Sequence, residues 1–186
     1  MGRRKSGSGA SADSIVAAGV AAIHDSNLTD WTVESVATKA GCAKGLVLYH
    51  FKSKDALLVR IAERLRRVQA EKRLSALKIG PKGAAALDRL WAALASEVKV
   101  GTFGLWVGLL GDPRSRKAAA RAAQEVVDLI TAAAEALGVP VDSLALPLIP
   151  AALDGLSLEL LQGSAPATVR EHFDSFWLGV LSEAES

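Results

Sequence analysis

Along almost the whole chain, apolar residues return every third or fourth position, in stretches punctuated by Gly, Pro and Asn. That period is the repeat of one helix face, and nowhere does an alternating strand lead into a two-residue hairpin turn. Composition reinforces the reading. Hydrophobic residues make up 50% of the chain and aromatics only 5%, so Ala, Leu and Val, two of them strong helix formers, carry the apolar surface. The expectation is an all-α fold of about nine helices. At 186 residues there is chain enough for a small head on a larger body.

The punctuation places the helices. A first one is expected over 12–26, with Ile15, Val16, Val20 and Ile23 inward and Asn27 as a left-handed stop. Thr32 can cap a short helix ended by Gly41; another short one follows over 43–50, and Ser53 caps a long one reaching 79. Gly80-Pro81-Lys82-Gly83 is the clearest break and the preferred domain boundary. Helices over 84–100 and 102–110 follow. Asp112 and Pro113 then start one expected to continue to Leu137. Asp142 can cap the next, delayed by Pro147 and Pro150 and reaching Gln162, and a last one covers 166–182. Residues 1–11, rich in Gly, Ser and basic residues, are expected to be a disordered arm. Arg3, Arg4 and Lys5 fit either a minor-groove contact or a solubilising tail.

Charge is uneven. Residues 1–80 hold 14 Lys and Arg against 7 Asp and Glu, whereas 81–186 hold 8 against 13. A polyanion would meet the first part alone. A single cysteine, Cys42, excludes an intrachain disulfide and fits a reducing cytoplasm; its small side chain suits packing in a turn better than redox sensing. No apolar run is long enough to span a bilayer, since Pro147, Pro150, Asp154 and Glu159 interrupt the nearest one, 144–161. No membrane partner is expected. His24, His50 and His172 fall on separate helices without metal-ligand spacing, and no phosphate-binding glycine loop follows a strand. No enzyme, metal or cofactor is expected.

Residues 32–50 meet the physical requirements of a helix-turn-helix: two short helices, a tight turn and an outward face mixing donors with small groups. Val33, Val36, Ala37 and Ala40 pack inward, Gly41 permits the turn, and Cys42 and Val47 add anchors. Lys44, Tyr49 and His50 are left outside.

The string from Ala40 through Lys44-Gly45-Leu46-Val47-Leu48-Tyr49-His50-Phe51 to Ser53-Lys54-Asp55-Ala56-Leu57, with Thr32-Val33 and Val36-Ala37 upstream, resembles the TetR family of bacterial repressors. The resemblance implies a three-helix head bearing a ligand-binding and dimerisation body, with residues 12–80 as the DNA-binding domain and 81–186 as the body. It implies that Lys44 reaches the major groove and that Thr32, Tyr49, His50 and Lys54 hold phosphates. Gly45 belongs to the same face, and Phe51 to the core. Ala43, Leu46 and Leu48 are apolar where the family often carries hydroxyls, so base reading would rest on methyl contacts and Lys44.

Two recognition helices on a symmetric dimer read two half-sites of a palindromic operator in double-stranded DNA, so a homodimer surface is needed. The last two helices are the expected source, through Leu153, Leu156 and Leu160 on one and Phe173, Phe176 and Trp177 on the other. Asp154-Gly155-Leu156 fits a close helix crossing. The resemblance places a small-molecule inducer in the body, near Trp91, Phe103 and Trp106, with Gln124 and Ser157 as polar handles. Such a ligand would be apolar or aromatic. Control by a protein partner, or no ligand control at all, is the alternative.

Overall fold

The computed structural model describes residues 10–140 and 146–184. The basic arm Arg3-Arg4-Lys5, the expected cap Asp142 and Leu144 lie outside them. Among the described residues there are ten α-helices, one single 3-10 turn and no strand. They divide into two compact units. One holds the described residues up to Leu65 together with Gly108–Ala119; the other holds Arg66–Val107 and the chain from Ala120 onward. The expected boundary at Gly80–Gly83 falls inside the second unit, where the Gly83 N–H donates to the Ala136 carbonyl at 2.8 Å.

The first unit, the head, is built on α1 (Ala12–Asp30), α2 (Val33–Ala40), α3 (Lys44–Phe51) and the start of α4 (Lys54–Lys78). Ser11 begins α1, its Oγ accepting the Ser14 N–H at 3.1 Å. Asn27 does take a positive φ, +74°, yet helical geometry resumes beyond it to Asp30, three residues past the expected stop and a short turn longer. Ile15, Val16 and Ile23 are buried as expected. Gly19 was not foreseen: a Cβ there would overlap the Ile61 side chain, so the glycine lets α1 lie against α4. Trp31, which follows α1 in the chain, is fully buried, as are Val36, Leu57, Leu58 and Ile61.

The expected helix over 113–137 is two. After α6 (Thr102–Gly111) comes a turn, then the four-residue α7 (Arg116–Ala119), then α8 (Ala123–Leu137). The turn before α7 is held locally: the Asp112 carboxylate accepts the Arg114 N–H at 2.9 Å and its guanidinium, and the Ser115 hydroxyl donates to the Leu109 carbonyl. The Arg114 hydrogen bonds keep the Asp112 carboxyl below the usual carboxylate range. Glu125 closes the start of α8 by accepting the Ala122 N–H at 3.2 Å.

The second unit, the body, contains α5 (Ala84–Lys99), α8, α9 (Ile149–Leu161) and α10 (Pro166–Ala184) around one apolar core that includes Leu90, Leu94, Ile149, Leu153, Phe173 and Trp177. The two prolines act as expected: a 3-10 turn over Leu146–Leu148 precedes α9, which starts with Pro150 in its first turn. No single helix among the described residues is long and apolar enough to cross a membrane.

Candidate nucleic-acid interface

Local hydrogen bonds define both helices of the reading unit. Thr32 Oγ1 accepts the Ser35 N–H at 3.0 Å while Ser35 Oγ accepts the Thr32 N–H at 3.1 Å, a reciprocal box at the start of α2. Gly41, at φ +63°, ends α2 with its N–H on the carbonyls of Ala37 and Thr38. The Cys42 N–H also returns to Ala37 O at 3.0 Å, which leaves the half-buried Cys42 as a turn residue. Ser53 Oγ accepts the Ala56 N–H at 3.0 Å and so caps α4.

Helix α3 is anchored by two residues only, Val47 and Phe51, one turn apart and buried. Everything else on it faces away from the head. Ala43, Lys44, Gly45, Leu48, Tyr49 and His50 are exposed and Leu46 is half-buried. Tyr49, 69% exposed, presents an aromatic ring largely to solvent. A Cβ at Gly45 would likewise meet no atom of the protein, so nothing inside the chain requires that residue to be small.

The cations around α3 are weakly committed. Lys44 Nζ lies 3.5 Å from Glu34 in a pair exposed on both sides, worth a fraction of a kcal/mol at most and readily exchanged for another anion. Lys54, at the start of α4, rests its ammonium 4.7 Å from the centre of the Trp31 ring. Lys52 stands 5.2 Å over Tyr49 and adopts φ +65°, a conformation few non-glycine residues take. The sequence placed neither Lys52 nor Trp31 in this surface. The tryptophan holds Lys54 by a cation–π contact, and Lys52 is turned toward Tyr49 by its backbone.

The body residues singled out from sequence separate into groups. Trp91 packs against Phe173 at 5.5 Å between ring centres, with Arg170 over both. Phe103 and Trp106 form a second aromatic pair, also at 5.5 Å, with the Arg121 guanidinium over Trp106. Neither polar handle is idle. Ser157 is fully buried and donates to the Leu153 carbonyl, whereas Gln124 is exposed and bonded to Asp128.

The residues expected at a subunit interface are largely covered within their own body. Leu153, Leu156, Phe173 and Trp177 are at most 6% exposed, spent in the core of their own body, and Leu160 and Phe176 are half-buried against it. Among the described residues, no atom lies within 4 Å of where a Cβ at Gly155 would stand. The faces of α9 and α10 that stay open carry Ala151, Gly155, Leu158 and Leu161, and Ser175, Leu178 and Gly179.

Residues with no sequence signal make the most polar part of the body. Arg73 is fully buried and bonds Glu97 at 3.0 Å and Asp154 at 2.8 Å; Arg121 also reaches Asp154, at 2.5 Å. Burial pushes the Glu97 carboxyl above its ordinary range despite Arg73, while its two carboxylates keep Arg73 charged. Among the described residues, no group of three or more His, Cys, Asp or Glu is placed to hold a metal ion.

Residues 15–61 match the family described as bacterial regulatory proteins, tetR family. Several solved structures share the fold. A TetR-family transcriptional regulator from Rhodococcus sp. is 23% identical at a TM-score of 0.69, covering 94% of this chain and 98% of that one. A transcriptional regulator from Pseudomonas aeruginosa PAO1 is 18% identical at 0.66, over 91% and 89%. The multidrug binding protein EbrR, in complex with ethidium, is 20% identical at 0.63, over 89% and 97%. Among curated proteins no sequence matches significantly. Residues 15–61 thus match the tetR family of bacterial regulatory proteins, and the chain as a whole shares its fold with solved transcriptional regulators.

Proposed function

We propose that the protein is a cytoplasmic repressor that binds a palindromic operator as a homodimer and is released from it by a small molecule bound in the body. The observation that carries the reading is the open face of α3: Lys44, Gly45, Leu48, Tyr49 and His50 are displayed on a helix fixed by Val47 and Phe51. Lys44 reads a base edge, Leu46 and Leu48 meet thymine methyls, and Ala43 and Gly45 let the helix approach closely. Thr32, Tyr49, His50 and Lys54 hold the backbone on either side, with the free N–H groups at the starts of α2 and α4 contributing.

Dimerisation uses the open faces of α9 and α10. Small residues there (Ala151, Gly155, Ser175, Gly179) admit close helix approach, and Leu158, Leu161 and Leu178, each 40% exposed or more, gain most by being covered. The ligand belongs in the body on the Phe103–Trp106 side, because Trp91 is already packed between Phe173 and Arg170. EbrR is a multidrug binding protein, crystallised with ethidium and with malachite green, which supports a small-molecule role for a body of this fold. Helix α4 belongs to the head up to Leu65 and to the body from Arg66. It is therefore one covalent route, α6 being another, by which a ligand that prefers one arrangement of the body shifts operator affinity.

Selection of bound sequences from random duplexes tests the reading. A palindrome with half-sites matched to a two-fold protein is expected; equal binding to every duplex, or a single asymmetric half-site, overturns it.

A further inference from the structure

Along the part of α4 that lies in the body, Arg66, Gln69 and Arg73 occupy positions i, i+3 and i+7, one helix face. That face is inward: Gln69 is 2% exposed and Arg73 fully buried, with Arg66 largely covered. A polar stripe thus stands where an amphipathic helix ordinarily puts its apolar one.

The charges on this stripe balance. Arg66 pairs with Glu125 at 2.9 Å, Arg73 with Glu97 and Asp154, and Arg121 with Asp154. Three guanidiniums meet three carboxylates. The hydrogen bonds do not balance. Arg66 Nε, both polar atoms of the Gln69 amide and Glu97 Oε1 are buried without a partner. A buried polar group that nothing reaches keeps its full desolvation cost, and native interiors leave few of them. Two of these atoms donate and two accept.

We propose that this stripe is the ligand site of the body and that its ligand is a neutral molecule carrying a donor and an acceptor side by side, of the carboxamide or lactam class. A carboxamide supplies an oxygen for Arg66 Nε or the Gln69 N–H and an N–H for Gln69 Oε1 or Glu97 Oε1. A cation or an anion would leave an uncompensated charge in a site whose own charges cancel. A purely apolar ligand would leave all four groups bare. The inference rests on the body being a ligand domain, and it replaces the apolar ligand expected from sequence with a polar one.

Four probes of one shape test it: benzamide, benzamidinium, benzoate and toluene, each titrated into the full-length protein by calorimetry and thermal melting. Benzamide is expected to bind and raise the melting temperature, and the other three to bind at least about tenfold more weakly, the factor that follows from about 1.4 kcal/mol of lost hydrogen bonding. Gln69→Met, which keeps the side chain's length, should weaken benzamide about tenfold while the empty protein melts no lower than before. Glu97→Gln leaves the stripe with one net positive charge, so preference should move from benzamide toward benzoate.

Preference of the native protein for benzamidinium, benzoate or toluene overturns the proposal, as does binding of none of the four or benzamide binding unaffected by Gln69→Met. Operator release is read separately. Benzamide binding without release keeps this site and removes the inducible-repressor reading, whereas release by toluene without benzamide binding does the reverse.

Discussion

Gly45 and Lys44 sit next to each other on α3, and the two explain different things. No atom of the chain lies near the missing Cβ of Gly45, so a side chain there is tolerated by the fold and opposed only by what α3 approaches. Gly45→Leu should leave the unfolding free energy within about 0.5 kcal/mol of the native protein, as exposed substitutions do, while weakening duplex binding by well over tenfold. Lys44 and Lys54 differ in kind. Lys44→Ala should relax preference at one position of each half-site, at about 1–3 kcal/mol, and Lys54→Ala should weaken all duplexes alike and lower the salt slope by about one. Competition titrations with single-base variants at two salt concentrations separate them; identical effects of the two substitutions would contradict the assignment.

Short elements were legible where the bonds that make them are local. The Thr32–Ser35 box, Gly41 and Ser53 each act within three or four residues, so α2, α3 and the start of α4 could be placed from residue types alone. The segment after Asp112 could not. Periodicity carries on through 113–137, yet the chain breaks at 120–122, where Arg121 is drawn to Asp154, 33 residues away, and onto Trp106. The Arg73 links to Glu97 and Asp154 span 24 and 81 residues, and nothing in a local pattern announces them. The burial of α9 and α10 was illegible for a related reason: apolarity on several faces fixes how much is covered, not which face a neighbouring helix of the same body covers.

This buried pairing has a thermodynamic signature. Arg73→Met strands the buried Glu97, while Asp154 keeps Arg121, and should cost about 3–5 kcal/mol, whereas Glu97→Gln leaves Arg73 with Asp154 as a partner and should cost much less; urea unfolding of both variants gives the comparison. The pH dependence follows from the raised Glu97 carboxyl. The folded state holds that proton where the unfolded state has released it, so this contribution is fully present below the ordinary glutamate range and is lost as pH rises through the raised value. The stability difference between the native protein and Glu97→Gln should therefore move against the native protein across that window, and a pH-independent difference would remove the role given to burial.

For the whole molecule, the requirement is two heads held at a fixed separation. Leu158→Glu or Leu178→Glu puts a charge on an open apolar face and should convert a dimer to monomers in sedimentation velocity while leaving helix content unchanged. Operator affinity should then fall by orders of magnitude even though α3 is untouched. A dimer that survives both substitutions would place the interface elsewhere.

The most direct test of the central claim is site-specific photocrosslinking to a selected duplex, from a photoreactive residue at position 48 on α3. Two adducts are predicted, symmetrically placed on base edges of the major groove, one in each half-site, with none from a control probe in place of Val127, an exposed residue of α8. A duplex that stays bound with no adduct from position 48 would contradict the assignment of α3 as the reading helix.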